Sequence, residues 1–460
     1  MKINVTNLGP IKEATIELGG LTVFVGPNGT GKSYLAKVLY GLQRHETITA
    51  SYFNNAELFY QVLFGKNITT AQDALTDLQQ LSPTDLQQAL PRLGKLHAEL
   101  FKDRLNEFFN DDSNLFSNTT VTYSDIELLP EEQLQAIINT TIEQAKTWFN
   151  PQPGSTLLTA TQNTVTPESL LWVLCWHLFW GAGGGFADYF PAARSNFMLT
   201  YKEIYRARAD EHVGLETISE KLLLASKGLH ARKTGKLIRI DKPTEDFLSR
   251  IYELNSAEES PLASIANKLQ GQLYDGDSLV VEQPDGALPD FLYRVKNSDN
   301  NLRLHLTSSM VTETSPLLVG FRYWVQQNSL VIIDEPESHL HPEAQKNLIN
   351  VLTEAVNQGL QLILITHSPY ILSCVNNLIK FGSVIKQFPN DDAVAQFKTG
   401  HPDLVAIEKP VRAYHFDRDG IVKDIVLASG LIDEAEFTEP FDRLNELYEA
   451  MRDIEWEHRE

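Results

Sequence analysis

Gly26-Pro27-Asn28-Gly29-Thr30-Gly31-Lys32-Ser33 decides the fold of this chain. The octet follows Leu21-Thr22-Val23-Phe24-Val25, a near-continuous apolar run that suits a strand buried on both faces. It opens a segment of helical periodicity from about Lys32 to Leu42. Glycines in such a loop let the backbone wrap an anion, with N–H groups pointing inward at a helix start. Asn28, Gly29, Thr30, Gly31, Lys32 and Ser33 are therefore the predicted phosphate-binding residues, with Lys32 reaching the β- and γ-phosphates and Ser33 holding Mg2+. A plain Gly-rich turn is the competing reading, and the position between an apolar strand and a helix argues against it.

Two more strand ends belong with this loop. Leu330-Val331-Ile332-Ile333 is a second apolar run, and it ends in Asp334-Glu335. An aspartate there can hold the metal directly or through water, and Glu335 is placed to polarise an attacking water. Leu362-Ile363-Leu364-Ile365 is a third run, followed by Thr366-His367-Ser368-Pro369, with His367 lying 33 residues after Asp334. A histidine at that point can hydrogen-bond a γ-phosphate. Two acids or one histidine at a strand end are ordinary features; their order behind a phosphate loop turns them into one predicted site for ATP and Mg2+.

Working outward, Lys2-Ile3-Asn4-Val5 and Ala14-Thr15-Ile16-Glu17-Leu18 alternate apolar and polar around Gly9-Pro10 and predict a hairpin. From about His45 to Arg303 the pattern turns helical, in segments such as Ala71–Gln80, Pro83–Leu90, Lys95–Phe109 and Pro130–Phe149, with strands expected at Thr120–Thr122 and Leu279–Val281. Gly181–Gly185 reads as a flexible joint within it. The aromatic run Leu170–Trp180 reads as a core helix rather than a docking surface, because such residues prefer interiors. β/α alternation returns after Thr307, with helices expected over Val311–Gln326, Pro342–Asn357 and a short one from Pro369. The tail predicts a hairpin, Arg412–Phe416 and Ile421–Leu427, around Asp417-Arg418-Asp419-Gly420, and a terminal helix from about Glu439 to Trp456. The predicted fold class is α/β: a head of phosphate-loop type with a large, mostly helical insertion and a small C-terminal extension. The expected parts are 1–45, the start of the head; 46–300, the inserted lobe; 301–385, the rest of the head; and 386–460, the extension.

The chain has 460 residues, which suggests roughly three folding units. Its 39 basic and 60 acidic residues give a formal charge of −21, a field that repels nucleic acid and anionic lipid except where bases are gathered. One such place exists: Arg194–Lys242 holds 11 basic and 6 acidic residues, most tightly Lys227, His230, Arg232, Lys233, Lys236, Arg239 and Lys242. A solvated helical face plus hairpin and a nucleic-acid surface over 227–242 both stay open for it. Two cysteines, Cys175 and Cys374, make no disulfide framework and suit a reducing compartment. No charged segment followed by an apolar run opens the chain, and no apolar stretch reaches the ~20 residues of a membrane span, so a soluble cytoplasmic protein without a membrane partner is expected.

Asp334-Glu335-Pro336-Glu337-Ser338-His339-Leu340-His341-Pro342, followed by Thr366-His367-Ser368-Pro369, resembles the ABC-type ATPases of the overcoming-lysogenization-defect group, which often carry an AAA-family label. Leu306-Thr307-Ser308-Ser309-Met310-Val311-Thr312-Glu313 is similar to the variant signature loop of that group, and Phe190-Pro191-Ala192-Ala193-Arg194-Ser195 to a Pro-Ala-x-Arg-Ser segment of unassigned role. The resemblance covers about residues 1–45 and 300–380, and reaches 45–300 only through isolated segments.

The resemblance implies an ATPase whose nucleotide lies between two heads. One head supplies Lys32, Ser33, Asp334, Glu335 and His367; the other supplies Ser308 and Ser309 at a helix start. Hydrolysis then needs a homodimer or higher oligomer, and His339 and His341 fall in the loop that speaks across it, without the third ligand that zinc needs. Relatives with a fused nuclease need a longer acidic C-terminal domain than the 80 residues after Lys380, and Asp417-Arg418-Asp419-Gly420 reads as a hairpin tip. What the resemblance then implies is a sensor or regulatory subunit of a bacterial anti-phage defence system of the Septu, PARIS or retron kind, controlling a separately encoded effector such as a nuclease. The alternative is a DNA-binding ATPase of DNA repair or chromosome maintenance.

Overall fold

The computed structural model describes residues 2–44, 54–67, 70–124, 130–149, 167–179, 186–211, 239–283, 287–297, 301–435, 443 and 445–452. The expected joint at Gly181–Gly185, residues 212–238 and both ends of the expected terminal helix lie outside them.

Twelve strands form three sheets among the described residues. In chain order they are β1 (Lys2–Leu8), β2 (Ile11–Glu17), β3 (Leu21–Val25), β4 (Thr120–Ser124), β5 (Ala187–Phe190) and β6 (Ser278–Glu282). Then come β7 (Asp290–Arg294), β8 (Asn301–Arg303), β9 (Leu330–Asp334), β10 (Gln361–Ile365), β11 (Val411–Phe416) and β12 (Val422–Asp424). The central sheet has the order β12-β11-β3-β10-β9-β5, and only β12 runs antiparallel to its neighbour. Small antiparallel sheets, β2-β1-β4 and β6-β7-β8, flank it.

The central strands are apolar because they are covered on both sides, as parallel strands are. Side chains alternate between faces along a strand. Phe24, Ile332, Ile363 and Ile365 enter one core with the helix Lys32–Gln43 and the β1–β2 hairpin. Leu21, Val23, Val25, Val331, Ile333, Leu362 and Leu364 enter a second core with the helices Ser309–Tyr323, Pro342–Asn357 and Pro369–Gln387. The stretch between β3 and β9 serves both faces. Helices Ala56–Phe64, Ala71–Gln80, Pro83–Lys102 and Pro167–Phe179 pack into the first core, and Lys242–Tyr252 and Ala263–Leu273 into the second. That stretch also supplies β5, which pairs parallel with β9 at the edge of the central sheet.

Several elements differ from the sequence reading, each for a physical reason. Pro83–Leu90 and the start of Lys95–Phe109 are one helix, Pro83–Lys102, that runs through Pro91. Its buried stripe Leu86, Leu90, Leu93, His97 and Phe101 outweighs the proline, and a capping box from Ser82 and Asp85 fixes its start. The helix after Pro369 is 19 residues long, because Leu372, Val375 and Leu378 keep burying one face. The tail hairpin exists, and β11 extends the central sheet by pairing parallel with β3. In the aromatic helix Leu170, Leu171, Val173, Leu174 and Cys175 are buried. No helix of the described residues is long and apolar enough to cross a membrane.

His97 gives this fold an acid-sensitive point. It is fully buried on the helix Pro83–Lys102, packs against the Tyr123 ring and is hydrogen-bonded to the Leu42 backbone. Burial pushes its imidazole down from an ordinary 6.5 to about 3. Between those values the unfolded chain holds a proton that the folded one lacks, so stability falls as pH falls. Urea unfolding across this range is expected to show a His97 contribution of up to about 1.4 kcal/mol per pH unit, absent in His97→Gln.

Candidate functional site

The register of the central sheet sets the site. Ile365 lies beside Phe24 on one side and beside Asp334 on the other, so Gly26, Thr366 and Glu335 leave three adjacent parallel strands at one level. Ligands of open α/β sheets bind at that carboxyl edge.

The Gly26–Ser33 loop joins β3 to the helix Lys32–Gln43. Gly26 has φ +133, and a Cβ there would stand 2.3 Å from the carbonyl oxygen of Phe416 on β11. Thr30 donates to the Pro27 carbonyl at 2.9 Å. The Lys32 ammonium is folded onto the loop, donating to the Gly26 and Pro27 carbonyls at 2.8 and 2.7 Å. Burial pushes it down to about 8, against the pull of Asp334, Glu335 and Glu337. The first turn of the helix carries no acidic residue, and its N-cap, Gly31, supplies no side-chain bond. Free N–H groups and the positive end of the helix dipole are therefore left to an anion.

Asp334 receives two hydroxyls on one oxygen: Ser33 Oγ donates to Oδ2 at 2.8 Å, and Tyr189 of β5 donates to the same atom at 2.9 Å. Burial raises the Asp334 carboxyl, while those two bonds and Lys37 oppose the rise. Glu335 has φ +51, unusual for a residue with a side chain. Its N–H donates to the Ile365 carbonyl at 2.8 Å, and its carboxylate accepts from Ser338 Oγ at 3.0 Å. Glu337 ties this turn to the histidine segment, accepting from Thr366 Oγ1 and from the His367 backbone N–H, each at 2.8 Å. A serine hydroxyl and a carboxylate in contact are hard oxygen donors, and they fit Mg2+ rather than a soft metal.

Lys32, Ser33, Asp334 and Glu335 thus come together, with the His367 backbone tied to the same turn through Glu337, and Asn28 and Gly29 are exposed at the loop tip. Ser308 and Ser309 are exposed at the start of the helix Ser309–Tyr323, and neither hydroxyl is bonded to the phosphate loop. Ser308 caps the helix, accepting from the Val311 N–H at 3.4 Å. His341 caps the helix Pro342–Asn357 through Nδ1, and among the described residues no group of three or more His, Cys, Asp or Glu could hold a metal. Asp417 accepts from the Asp419 and Ile421 N–H groups at the hairpin tip.

Sequence reasoning missed Tyr189 and Glu337 and left Arg194 without a role. Arg194 is fully buried, between the Asp334–Glu335 turn and Glu313. It therefore does not belong to a basic surface. Among other described bases of Arg194–Lys242, Lys202 pairs with Asp290, Arg239 with Asp112, and Lys242 with Asp246 at 2.8 Å. Lys227, His230, Arg232, Lys233 and Lys236 lie outside the described residues.

A phosphate loop and an acid-tipped strand on a largely parallel sheet, with a third strand between them, define a P-loop NTPase fold. Residues 1–150 match a family model described as "AAA ATPase domain", and residues 230–373 one described as "AAA domain, putative AbiEii toxin, Type IV TA system". The loop falls in the first match, and Ser308, Asp334 and His367 in the second. No curated protein matches the chain.

Solved structures that match include an Smc head bound to the C-winged helix domain of ScpA, at 11% identity and TM-score 0.36, covering 92% of this chain and 96% of that one. Another is the Smc head with an extended coiled coil bound to the C-terminal domain of ScpA from Pyrococcus furiosus, at 12% identity and TM-score 0.30, with 97% and 98% covered. A third is the Smc head with a coiled coil and joint from Pyrococcus yayanosii, at 11% identity and TM-score 0.31, with 93% and 97% covered.

The close approach at Gly26 gives a direct check. Gly26→Ala adds a Cβ against the Phe416 carbonyl at a left-handed φ and is expected to cost about 2 kcal/mol or more of stability in urea unfolding.

Proposed function

We propose that the chain is an ATPase that binds Mg-ATP between two copies of itself and converts ATP and water to ADP and phosphate. The observation that carries this reading is the 2.8 Å contact between the loop serine, Ser33, and the strand-end acid, Asp334. In the proposed site the Asn28–Ser33 loop and the helix N-terminus hold the phosphates, and Lys32 exchanges its two loop carbonyls for phosphate oxygens. Ser33 and Asp334 would hold Mg2+, which when bound neutralises charge on the phosphate oxygens. Glu335 orients and polarises the attacking water, and His367 hydrogen-bonds the γ-phosphate. Exposed Ser308 and Ser309 stand at a helix start with no bond to their own phosphate loop, which suits donation to the nucleotide of a second copy.

In its setting, the chain acts as the sensor or regulatory subunit of a bacterial anti-phage defence system in the cytoplasm, controlling a separate effector such as a nuclease. The match of residues 230–373 to a toxin–antitoxin ATPase description supports this, as does the resemblance of the Asp334–Pro342 run. The alternative, a DNA-binding repair ATPase, rests on the basic stretch, and Lys202, Arg239 and Lys242 of that stretch are each paired with acids.

Lys32→Ala is expected to abolish ATP binding in calorimetry. Glu335→Gln is expected to keep binding, lose about 100-fold or more in kcat, and accumulate an ATP-locked dimer on size exclusion. Normal turnover in Glu335→Gln would remove that residue from its role. In cells expressing the chain with its neighbouring genes, phage plating is expected to drop, and to recover with Lys32→Ala. Equal plating in both would refute the defence role and leave the ATPase untouched.

A further inference from the structure

Arg194 is the largest fully buried side chain of the described residues, and it is used by nothing in the mechanism above. It follows β5 in Pro191-Ala192-Ala193-Arg194, outside both family matches. Its guanidinium has five N–H donors, and it makes four hydrogen bonds to backbone carbonyls and one ion pair. Nε donates to the Glu313 backbone carbonyl at 3.2 Å. Nη1 donates to the carbonyls of Asp334 at 2.6 Å and Pro191 at 3.4 Å. Nη2 donates to the Glu335 carbonyl at 3.1 Å and pairs with the Glu313 carboxylate at 2.7 Å.

These contacts join two parts that lie far apart in the chain. Asp334 and Glu335 close β9, and Glu335 stands at φ +51, a conformation its own side chain does not favour. Its backbone is held there by the Ile365 carbonyl on one side and by Arg194 on the other. Glu313 lies on the helix that begins at Ser309, one turn beyond the exposed serines. The same helix sits tightly on β5, where a Cβ at Gly320 would stand 2.4 Å from the Phe190 ring. Lysine, with three donors on a point charge, cannot span both carbonyls and the carboxylate. A fully buried ion pair is weak evidence for stability, and its best-attested use is to specify an arrangement.

We propose that Arg194 is a positioning residue: it fixes the backbone of Glu335, and through Glu313 it ties that position to the Ser308–Ser309 helix tip. Contact of the tip with the partner's nucleotide is thereby linked to the water-polarising carboxylate of its own head. This rests on the nucleotide reading above.

The test uses the full-length chain and two variants. Arg194→Met/Glu313→Leu removes both charges at once, so neither is left buried without a partner. It is expected to keep its melting temperature or raise it, to bind ATP within about threefold of wild type, and to lose about 10- to 100-fold in kcat. Glu313→Gln, which keeps the bonds to the Asp334 and Glu335 carbonyls, is expected to fall between wild type and the double variant, and it carries the test if the double variant does not fold. A merely structural pair would change melting temperature and leave kcat alone. Wild-type kcat in the folded variants, or a loss of ATP affinity equal to the loss in kcat, overturns the proposal. If the wild-type chain itself binds no ATP, the nucleotide reading fails and this inference with it. If wild type turns over and the double variant does so equally fast, only this inference fails.

Discussion

One carboxylate oxygen, Asp334 Oδ2, receives hydroxyls from Ser33 and Tyr189, and most of the site depends on that convergence. Ser33 comes from the helix after β3, Asp334 from the end of β9, and Tyr189 from β5. They meet only because the register of the central sheet brings those strands to the same edge. A buried acid raised by desolvation is costly to keep ionised without partners. The two donors lower that cost, and they place a hard-oxygen pair beside the Lys32 ammonium and the free N–H groups of a helix start.

The packing explains why such a polar site survives in an apolar sheet. Alternate residues of β3, β9 and β10 feed separate cores on the two faces. The polar groups collect only at the strand ends, where Glu337 binds Thr366 and His367, and Arg194 binds the carbonyls of Asp334 and Glu335. The long stretch between β3 and β9 is therefore part of the site's frame. It covers both faces and delivers Tyr189 and Arg194.

The phosphate loop, Asp334-Glu335 and Thr366-His367 are legible in the sequence because each follows an apolar run long enough to mark a buried strand. β5 is not. Its four residues, Ala187-Asp188-Tyr189-Phe190, are too few for periodicity and half of them carry polar atoms, so Tyr189 was invisible as a ligand of Asp334. Arg194 stood in a motif that could be recognised but not interpreted, because its partner Glu313 is 119 residues away and only the tertiary fold brings them together. Glu337 sits in the Asp334–Pro342 run with no local cue to its partners. Its bond to the His367 backbone depends on the β9–β10 register, which no local pattern encodes. The helix through Pro91 is the opposite case: the two segments expected at Pro83–Leu90 and Lys95–Phe109 are joined by a buried stripe that continues past a proline.

Sharing of one site by two chains is tested most directly by mixing two inactive variants, Lys32→Ala and Ser309→Arg. A mixed pair keeps one complete site, formed by the phosphate loop of one chain and the serine-bearing helix tip of the other. Random pairing should restore about one quarter of wild-type ATPase activity in an equimolar mixture. No recovery on mixing, or a Ser309→Arg protein already active alone as a monomer, would contradict a site built across two copies.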